Sequence, residues 1–257
     1  MEKITSAANP AVRRLKALND AKTRRREGRC LVEGEVMIKE ALDSGLTPAE
    51  ALFTEQTPLM EKLLSLGCEV RLCSESALKS ACDTVSPQGC CASFSFDGAG
   101  RIPPDAGRLV ALDGVQDPGN LGTILRTMDA AGFQGAYLSE QCADVYSPKV
   151  QRSAMGSAFR VPTQRADLPE KLSELKRNGF RLVLSLLDGK ELYDCDFSRE
   201  DRIVLVVGNE AAGISEAVRR LGDTAVRIPM RGRAESLNAA VAAGILMYEL
   251  TRPGRGS

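Results

Sequence analysis

A chain of 257 residues, 43% hydrophobic and 26% charged, has the composition of a soluble globular protein and the length for one or two domains. No apolar run follows the first basic residues and none reaches the roughly 20 residues of a bilayer span, so neither a secretory leader nor a membrane segment is expected. Histidine is absent, which removes the commonest general base and every Ser-His or Cys-His pair, and with them much of hydrolase chemistry. The eight cysteines (30, 68, 73, 82, 90, 91, 142 and 195) lack Cys-x-x-Cys spacing and read as reduced thiols of a cytoplasmic protein, with no metal site expected.

Charge is balanced overall but unevenly placed. Residues 1–30 carry Lys3, Arg13, Arg14, Lys16, Lys22, Arg24, Arg25, Arg26 and Arg29 against Glu2, Asp20 and Glu27. A basic start on a neutral chain suggests a phosphate-bearing partner, with Arg13, Arg14, Lys22, Arg24, Arg25, Arg26 and Arg29 as candidates for gripping RNA. A solvated helix face accounts for the same charges. With 4% aromatic residues and no tryptophan, an extensive base-stacking platform is not expected, and RNA would be held by backbone and shape.

In chain order, Asn9-Pro10 is a cap followed by proline at the first helical position, and Val12, Leu15 and Leu18 supply that helix's buried face. The basic run 22–29 follows, then a short strand at 30–32 and a helix over 35–44 stopped by Gly45. A strand at 51–53, a helix from Thr57-Pro58, a strand at 68–72, a helix over 75–81 and the alternation Ala92, Phe94, Phe96 complete a small α/β domain, 1–97. Glycine, alanine and two prolines mark 98–107 as a linker.

The second domain, 108–257, opens with a strand at 109–112 and a helix whose apolar residues Leu121, Ile124, Leu125 and Met128 fall at i, i+3, i+4 and i+7 before Gly132. A strand at 136–138 precedes a helix begun by Ser147-Pro148. Further strands are expected at 180–187, 203–207 and 225–228, with helices at 169–178 and 215–221. The runs 182–187 and 203–207 are nearly continuous apolar, as in strands covered on both faces of a mostly parallel sheet. A final helix, opened by Ser236-Leu237-Asn238, is apolar on almost every side and must be core or a subunit interface.

Three loops in this domain follow strands and precede helices, so they can converge at the carboxyl ends of a parallel sheet. The first holds Asn120, a plausible N-cap, and leads to Arg126, about 140° round the helix from the apolar stripe. A lone arginine there is by default a solvated one. The second is Gly208-Asn209-Glu210-Ala-Ala-Gly213; a turn with a helix-starting acid explains its glycines, but not Asn and Glu together at the end of an apolar strand. The third is Ser236-Leu237-Asn238, where exposed backbone N–H groups, a hydroxyl and an amide could grip a polar ligand, or where Ser236 is a simple cap. Neither G-x-G-x-x-G after a strand nor G-x-x-x-x-G-K-[ST] is present, which disfavours dinucleotide and P-loop sites.

Taken together, Asn120-x-Gly122-x-x-x-Arg126, Leu205-Val-Val-Gly-Asn-Glu-x-x-Gly213 and Ile228-Pro-Met-x-Gly-x-x-Glu-Ser-Leu-Asn238 resemble the three motifs of the SpoU/TrmH family, S-adenosylmethionine-dependent RNA ribose 2′-O-methyltransferases of the SPOUT class. The resemblance covers about residues 108–250, including Ser147-Pro-Lys-Val-x-Arg152, and residues 1–97 are similar to the ribosomal-protein-like RNA-binding domain that many members carry. It implies a C-terminal trefoil knot, a homodimer formed through the C-terminal domain, and a methyl-donor pocket at Gly208, Asn209, Gly213, Ile228, Met230 and Leu237. Arg126 matches the residue the family uses to activate the hydroxyl. Stabilising a developing alkoxide suits a guanidinium better than accepting a proton. Asn120, Glu210, Ser236 and Asn238 match the surrounding polar shell, and no motif residue departs from the family pattern.

The implied activity is methyl transfer to structured RNA, ribosomal RNA first and transfer RNA second. Two other readings stand beside it: a non-catalytic RNA-binding or assembly protein, and a methyltransferase directed at a base.

Overall fold

The structure is a computed structural model that describes residues 3–96 and 100–252. Residues 97–99, at the expected boundary between the first domain and the linker, lie outside the described residues. Two compact units form. One holds the described residues up to Phe96 together with Tyr146–Phe159, and the other holds Gly100–Val145 and the described residues from Arg160 on.

The chain runs α1 (Pro10–Ala17), α2 (Ala21–Glu27), β1 (Arg29–Glu33), α3 (Glu35–Asp43), β2 (Thr47–Phe53), α4 (Pro58–Ser65), β3 (Glu69–Leu72), α5 (Glu75–Ala81) and β4 (Cys90–Ser95). After these come β5 (Arg108–Asp113), α6 (Pro118–Ala131), β6 (Gly135–Leu138), α7 (Pro148–Ala154), α8 (Ser157–Arg160), β7 (Thr163–Arg165), α9 (Leu168–Arg177) and β8 (Arg181–Glu191). The last elements are β9 (Ile203–Gly208), α10 (Glu216–Arg219), β10 (Thr224–Arg227) and α11 (Ala239–Leu250).

In the first unit the strand order is β1-β4-β2-β3, parallel only between β2 and β3. Side chains alternate between two cores because successive strand residues face opposite ways. Cys30, Val32, Ala51, Phe53, Ala92 and Phe94 meet Ile38 and Ala41 of α3 and Leu59, Met60 and Leu63 of α4. Leu31, Leu52 and Cys91 meet Val12 and Leu15 of α1 and Ala77, Leu78 and Ala81 of α5 on the other face. Strand β2 begins earlier than its apolar run suggests and includes Pro48, which sits at a register shift against β4, where a missing N–H is tolerated. The basic run is itself a short helix, α2, capped by the Asp20 carboxylate, which accepts from the Thr23 N–H at 2.9 Å, and ended by Gly28 at φ 61°.

The expected domain limits differ from these units in two places. Tyr146–Phe159 groups with the first unit: Phe96 stacks on Tyr146 at 4.4 Å, Phe159 enters the core beside Phe94, and the buried Gln151 amide donates to the carbonyls of Leu31 and Tyr146. The described part of the expected linker, 100–107, is packed: Ala106 is buried, and Ile102 lies where a Cβ on Gly135 would stand.

The second unit has a six-stranded sheet, β10-β8-β9-β5-β6-β7, parallel throughout, as the apolar runs imply. Leu109, Ala111, Leu182, Leu184, Val204 and Val206 pack on Leu168, Leu172 and Leu175 of α9 and Val218 of α10. The alternate positions Val110, Leu112, Leu205 and Val207 are equally buried, and α11 packs on α6, β9 and β8. Strand β7 has no apolar signature, only Thr-Gln-Arg, and forms at the edge beside β6. Strands β5, β6 and β7 step outward in one direction, while β8, β9 and β10 lie on the other side of β5, so the order reverses there. Ligands of parallel sheets sit at such a reversal, beyond the carboxyl ends of the strands. None of the described helices is long and apolar enough to cross a membrane.

Candidate active site

The carboxyl ends of β8, β9 and β10 and the start of α11 enclose a cavity of about 470 Å³. At the end of β9 the chain turns back on itself, with Asn209 and Gly213 exchanging both backbone hydrogen bonds at 2.9 Å. That close return requires glycine at 208, where a Cβ would stand 2.5 Å from the Gly213 oxygen, and at 213, whose φ is 70°. The Asn209 side chain is spent on the loop itself: its oxygen accepts from the Ala211 and Ala212 N–H groups and its amide donates to the Gly114 carbonyl at 2.7 Å. With its backbone N–H and its side-chain oxygen both spent on the loop, Asn209 shapes the cavity wall and keeps for a ligand a carbonyl lone pair and one amide hydrogen.

A second wall was not legible as such in the sequence. Strand β10 pairs first with Val183 and Leu184 of β8 and then with Lys190 and Glu191, so residues 185–189 bulge out, and Ser185, Leu186 and Leu187 line the cavity. Gly189 returns the bulge to the sheet, where a Cβ would meet the Ala225 carbonyl carbon at 2.6 Å. The switch from apolar residues to Asp188-Gly189-Lys190 is the one local hint of this bend.

Helix α11 begins three residues later than expected, at Ala239, and its cap is Asn238 rather than Ser236. The Asn238 oxygen accepts from the Ala240 and Val241 N–H groups at 2.9 and 3.3 Å, so those donors are not free for a ligand. With its oxygen committed, Asn238 can only donate on its other side, and its amide donates to Asn120 Oδ1 at 2.8 Å. Asn120 in turn donates to Glu210 Oε1 at 2.7 Å. The three expected loops are thus joined by one chain of hydrogen bonds whose direction is set by the cap of α11. Asn120 is not itself an N-cap. It lies in the first turn of α6, where Asp117 is the cap and accepts from the Asn120 N–H at 2.8 Å.

Gly208, Asn209, Gly213, Ile228, Met230 and Leu237 all line the cavity, as do Glu210, Ser236 and Asn238. Arg126 does not. It stands exposed further along α6, without a hydrogen bond or ion pair among the described residues. Glu210 is paired with Asn120, not with Arg126. The lining combines Leu186, Leu187, Ile228 and Leu237 with the polar side chains of Ser185, Ser236 and Asn238, the Glu210 carboxylate, and Arg227, which is paired with Glu191 at 2.8 Å. This donor set fits an adenosine carrying an amino-acid tail, whose ring needs apolar faces and whose edges need hydrogen bonds.

In the first unit one RNA candidate must be withdrawn. Arg24 is 3% exposed and its guanidinium donates to the Leu18 carbonyl at 2.8 Å, so it braces the α1–α2 turn. Arg14 is exposed but held by the Glu50 carboxylate at 2.6 Å, which raises its pKa, and Arg26 pairs with Glu27 at 3.0 Å. Arg13, Lys22, Arg25 and Arg29 are exposed and have no partner among the described residues. The eight cysteines are free, and no cluster among the described residues could hold a metal ion.

Fold and cavity together define an α/β domain with a part-apolar, part-polar cavity beside a carboxylate at the carboxyl edge of its parallel sheet. Residues 107–248 match the SpoU rRNA methylase family, and residues 9–92 match the MRM3-like substrate binding domain. The chain belongs to the SpoU rRNA methylase family. It is 36% identical over 254 residues to the 23S rRNA (guanosine(2553)-2′-O)-methyltransferase RlmP of Bacillus subtilis, covering 97% of this chain and 99% of that one. An rRNA methyltransferase of Sinorhizobium meliloti solved with S-adenosylmethionine bound superposes with a TM-score of 0.87 at 32% identity, over 97% of both chains. The SpoU methyltransferase AviRb of Streptomyces viridochromogenes, in complex with the same cofactor, gives 0.82 at 32% identity over 95% of this chain and 97% of that one.

Proposed function

We propose that this chain transfers the methyl group of S-adenosylmethionine to a ribose 2′-hydroxyl of structured RNA, ribosomal RNA first and transfer RNA second. The observation that carries the reading is the hydrogen-bonded chain Asn238–Asn120–Glu210 beside a cavity of adenosine chemistry in a SpoU-family domain. The donor, when bound, supplies an electrophilic methyl group on a sulfonium. The protein's part is to place the acceptor oxygen in line with that group and to keep water out, which accounts for much of the barrier reduction in such transfers. Gly208, Asn209, Gly213, Ile228, Met230 and Leu237 hold the donor by backbone and apolar contact. Asn120, Glu210, Ser236 and Asn238 orient the ribose, Arg126 stabilises charge developing on its oxygen, and the hydroxyl proton leaves to an RNA phosphate as the O–CH3 bond forms and the C–S bond breaks.

Residues 1–97 are the RNA-binding domain in this reading, 108–257 the methyltransferase domain, and Arg13, Lys22, Arg25 and Arg29 the phosphate contacts. A homodimer through the C-terminal domain is supported by α11, which leaves Val241 and Tyr248 half exposed on an otherwise apolar helix. The trefoil knot rests on the family resemblance and would thread α11 through an earlier loop. The protein acts in the cytoplasm, where its substrate is made.

The test is methyl transfer from labelled donor to total RNA of a strain lacking the gene, followed by digestion to nucleosides. A 2′-O-methylnucleoside in one RNA species is expected. A labelled base would replace this reading with base methylation, and absence of both transfer and donor binding would replace it with an assembly protein.

A further inference from the structure

The first unit contains a second cavity, of about 400 Å³, that the proposed reaction does not use. Its walls come from the end of β1 (Leu31, Glu33), the start of α3 (Val36, Met37), the 84–88 loop and α7 with Met155. Large apolar side chains are left in solvent around it: Val36 is 64% exposed, Met155 54%, and Val85, between lining residues Thr84 and Ser86, 78%. Met155 is also the one non-glycine among the described residues with positive φ, at 50°. An exposed side chain kept in a conformation that glycine adopts at less cost points to a use for that side chain.

The polar groups of the cavity divide into two kinds. Glu33 is already satisfied, accepting from the Asp83 N–H at 2.7 Å and the Thr84 hydroxyl at 2.5 Å, and Arg152 is paired with Asp83 at 3.0 Å. The Ser86 hydroxyl and the Gln88 amide have no partner among the described residues. A phosphate would find the Glu33 carboxylate and, in Arg152, a cation already paired. A flat group with apolar faces and hydrogen-bonding edges would find Val36, Met37 and Met155 for its faces and Ser86 and Gln88 for its edge. Two exposed arginines, unpaired among the described residues, belong to the same unit: Arg29 opens β1, about 13 Å by strand rise from Glu33, and Arg25 is on the adjoining α2.

We propose that this cavity receives one unstacked nucleobase of the RNA substrate, with Arg25 and Arg29 of the same unit meeting phosphates further along the strand. Sequence-specific RNA recognition works mostly on bases splayed from their stack, and thioether and aliphatic faces replace the aromatic platform this chain lacks. The inference rests on RNA being the substrate, as proposed above.

The test uses the full chain and ribosomal RNA transcribed with 4-thiouridine or 6-thioguanosine, comparing wild type with V36D and M155G. Both substitutions are at exposed positions, and glycine suits the backbone at 155, so the M155G unfolding midpoint is expected unchanged or raised. Each variant is expected to bind the RNA at least tenfold more weakly, and wild-type photocrosslinks are expected in 31–37, 84–88 or 148–155. If wild type methylates the RNA while both variants bind it unchanged, or if crosslinks avoid these peptides, the pocket assignment is overturned and the reaction stands. If wild type crosslinks here but transfers no methyl group to any RNA, the reaction is overturned and the pocket stands. Weaker binding of V36D to ribosomal particles, with unchanged binding to stripped RNA, overturns the nucleobase in favour of a protein side chain.

Discussion

Arg126 and Arg24 show how differently two arginines of one chain can be employed. Arg24 is buried and bonded to the Leu18 carbonyl, so Arg24→Ala leaves a buried acceptor unpaired and is expected to cost about 1–3 kcal/mol, read from the urea midpoint. Its exposed neighbour in Arg25→Ala should change stability by no more than about 0.5 kcal/mol while weakening RNA binding. Arg126 is exposed and unpaired among the described residues, so Arg126→Ala should leave fold and donor affinity intact. Its methyl transfer is expected to fall about 100-fold or more, the usual loss when one charge-stabilising donor is removed. Calorimetric donor binding beside single-turnover transfer separates the two effects, and unchanged turnover would remove Arg126 from the mechanism. Of these residues the motif spacing picked out Arg126, but nothing in the basic run distinguished Arg24 from Arg25. Burial is decided by the turn between α1 and α2, not by residue type.

At the scale of the element, α11 is both a scaffold and part of the site through one amide. Asn238 caps the helix with its oxygen and orients Asn120 with its nitrogen. Substituting aspartate keeps the acceptor that caps but removes the donor that orients, whereas alanine removes both. Asn238→Asp is therefore expected to retain the unfolding midpoint yet lose most methyl transfer, while Asn238→Ala also loses about 1 kcal/mol of stability from the missing cap. Equal activity of Asn238→Asp and wild type would show that the hydrogen-bond chain to Glu210 is ornamental. The helix itself was readable from its apolar run, but its start was not: Ser236 and Asn238 are both good caps, and only the folded loop selects Asn238.

For the whole molecule, the buried thiols of the first unit set an alkaline limit. Burial pushes Cys68 and Cys73 from 9.0 to about 11 and Cys90 to about 12. Their folded pKa values lie above the unfolded ones, so the stabilisation is complete below pH 9 and is lost as pH rises through 9 toward 11–12. Thermal melts from pH 8 to 11 should show the midpoint falling only above about pH 9, with alkylation of the folded protein confined to the part-exposed Cys82 and Cys195. Rapid modification of Cys90 at pH 8 would contradict the buried core on which this rests.

What the amino-acid order determined by itself was local or periodic. Apolar runs defined parallel strands, Asn9-Pro10 and Thr57-Pro58 marked helix starts, and three polar loops stood after strands, because each depends on residues a few positions apart. What only the tertiary structure decided depends on residues far apart in the chain. Tyr146–Phe159 sits in the core of the first unit because Phe94 and Phe96 are there to receive Phe159 and Tyr146. Residues 185–189 become a cavity wall because β10 pairs with both ends of β8. Asn120 meets Glu210 and Asn238, 90 and 118 residues away, because a parallel sheet gathers the carboxyl ends of its strands on one edge.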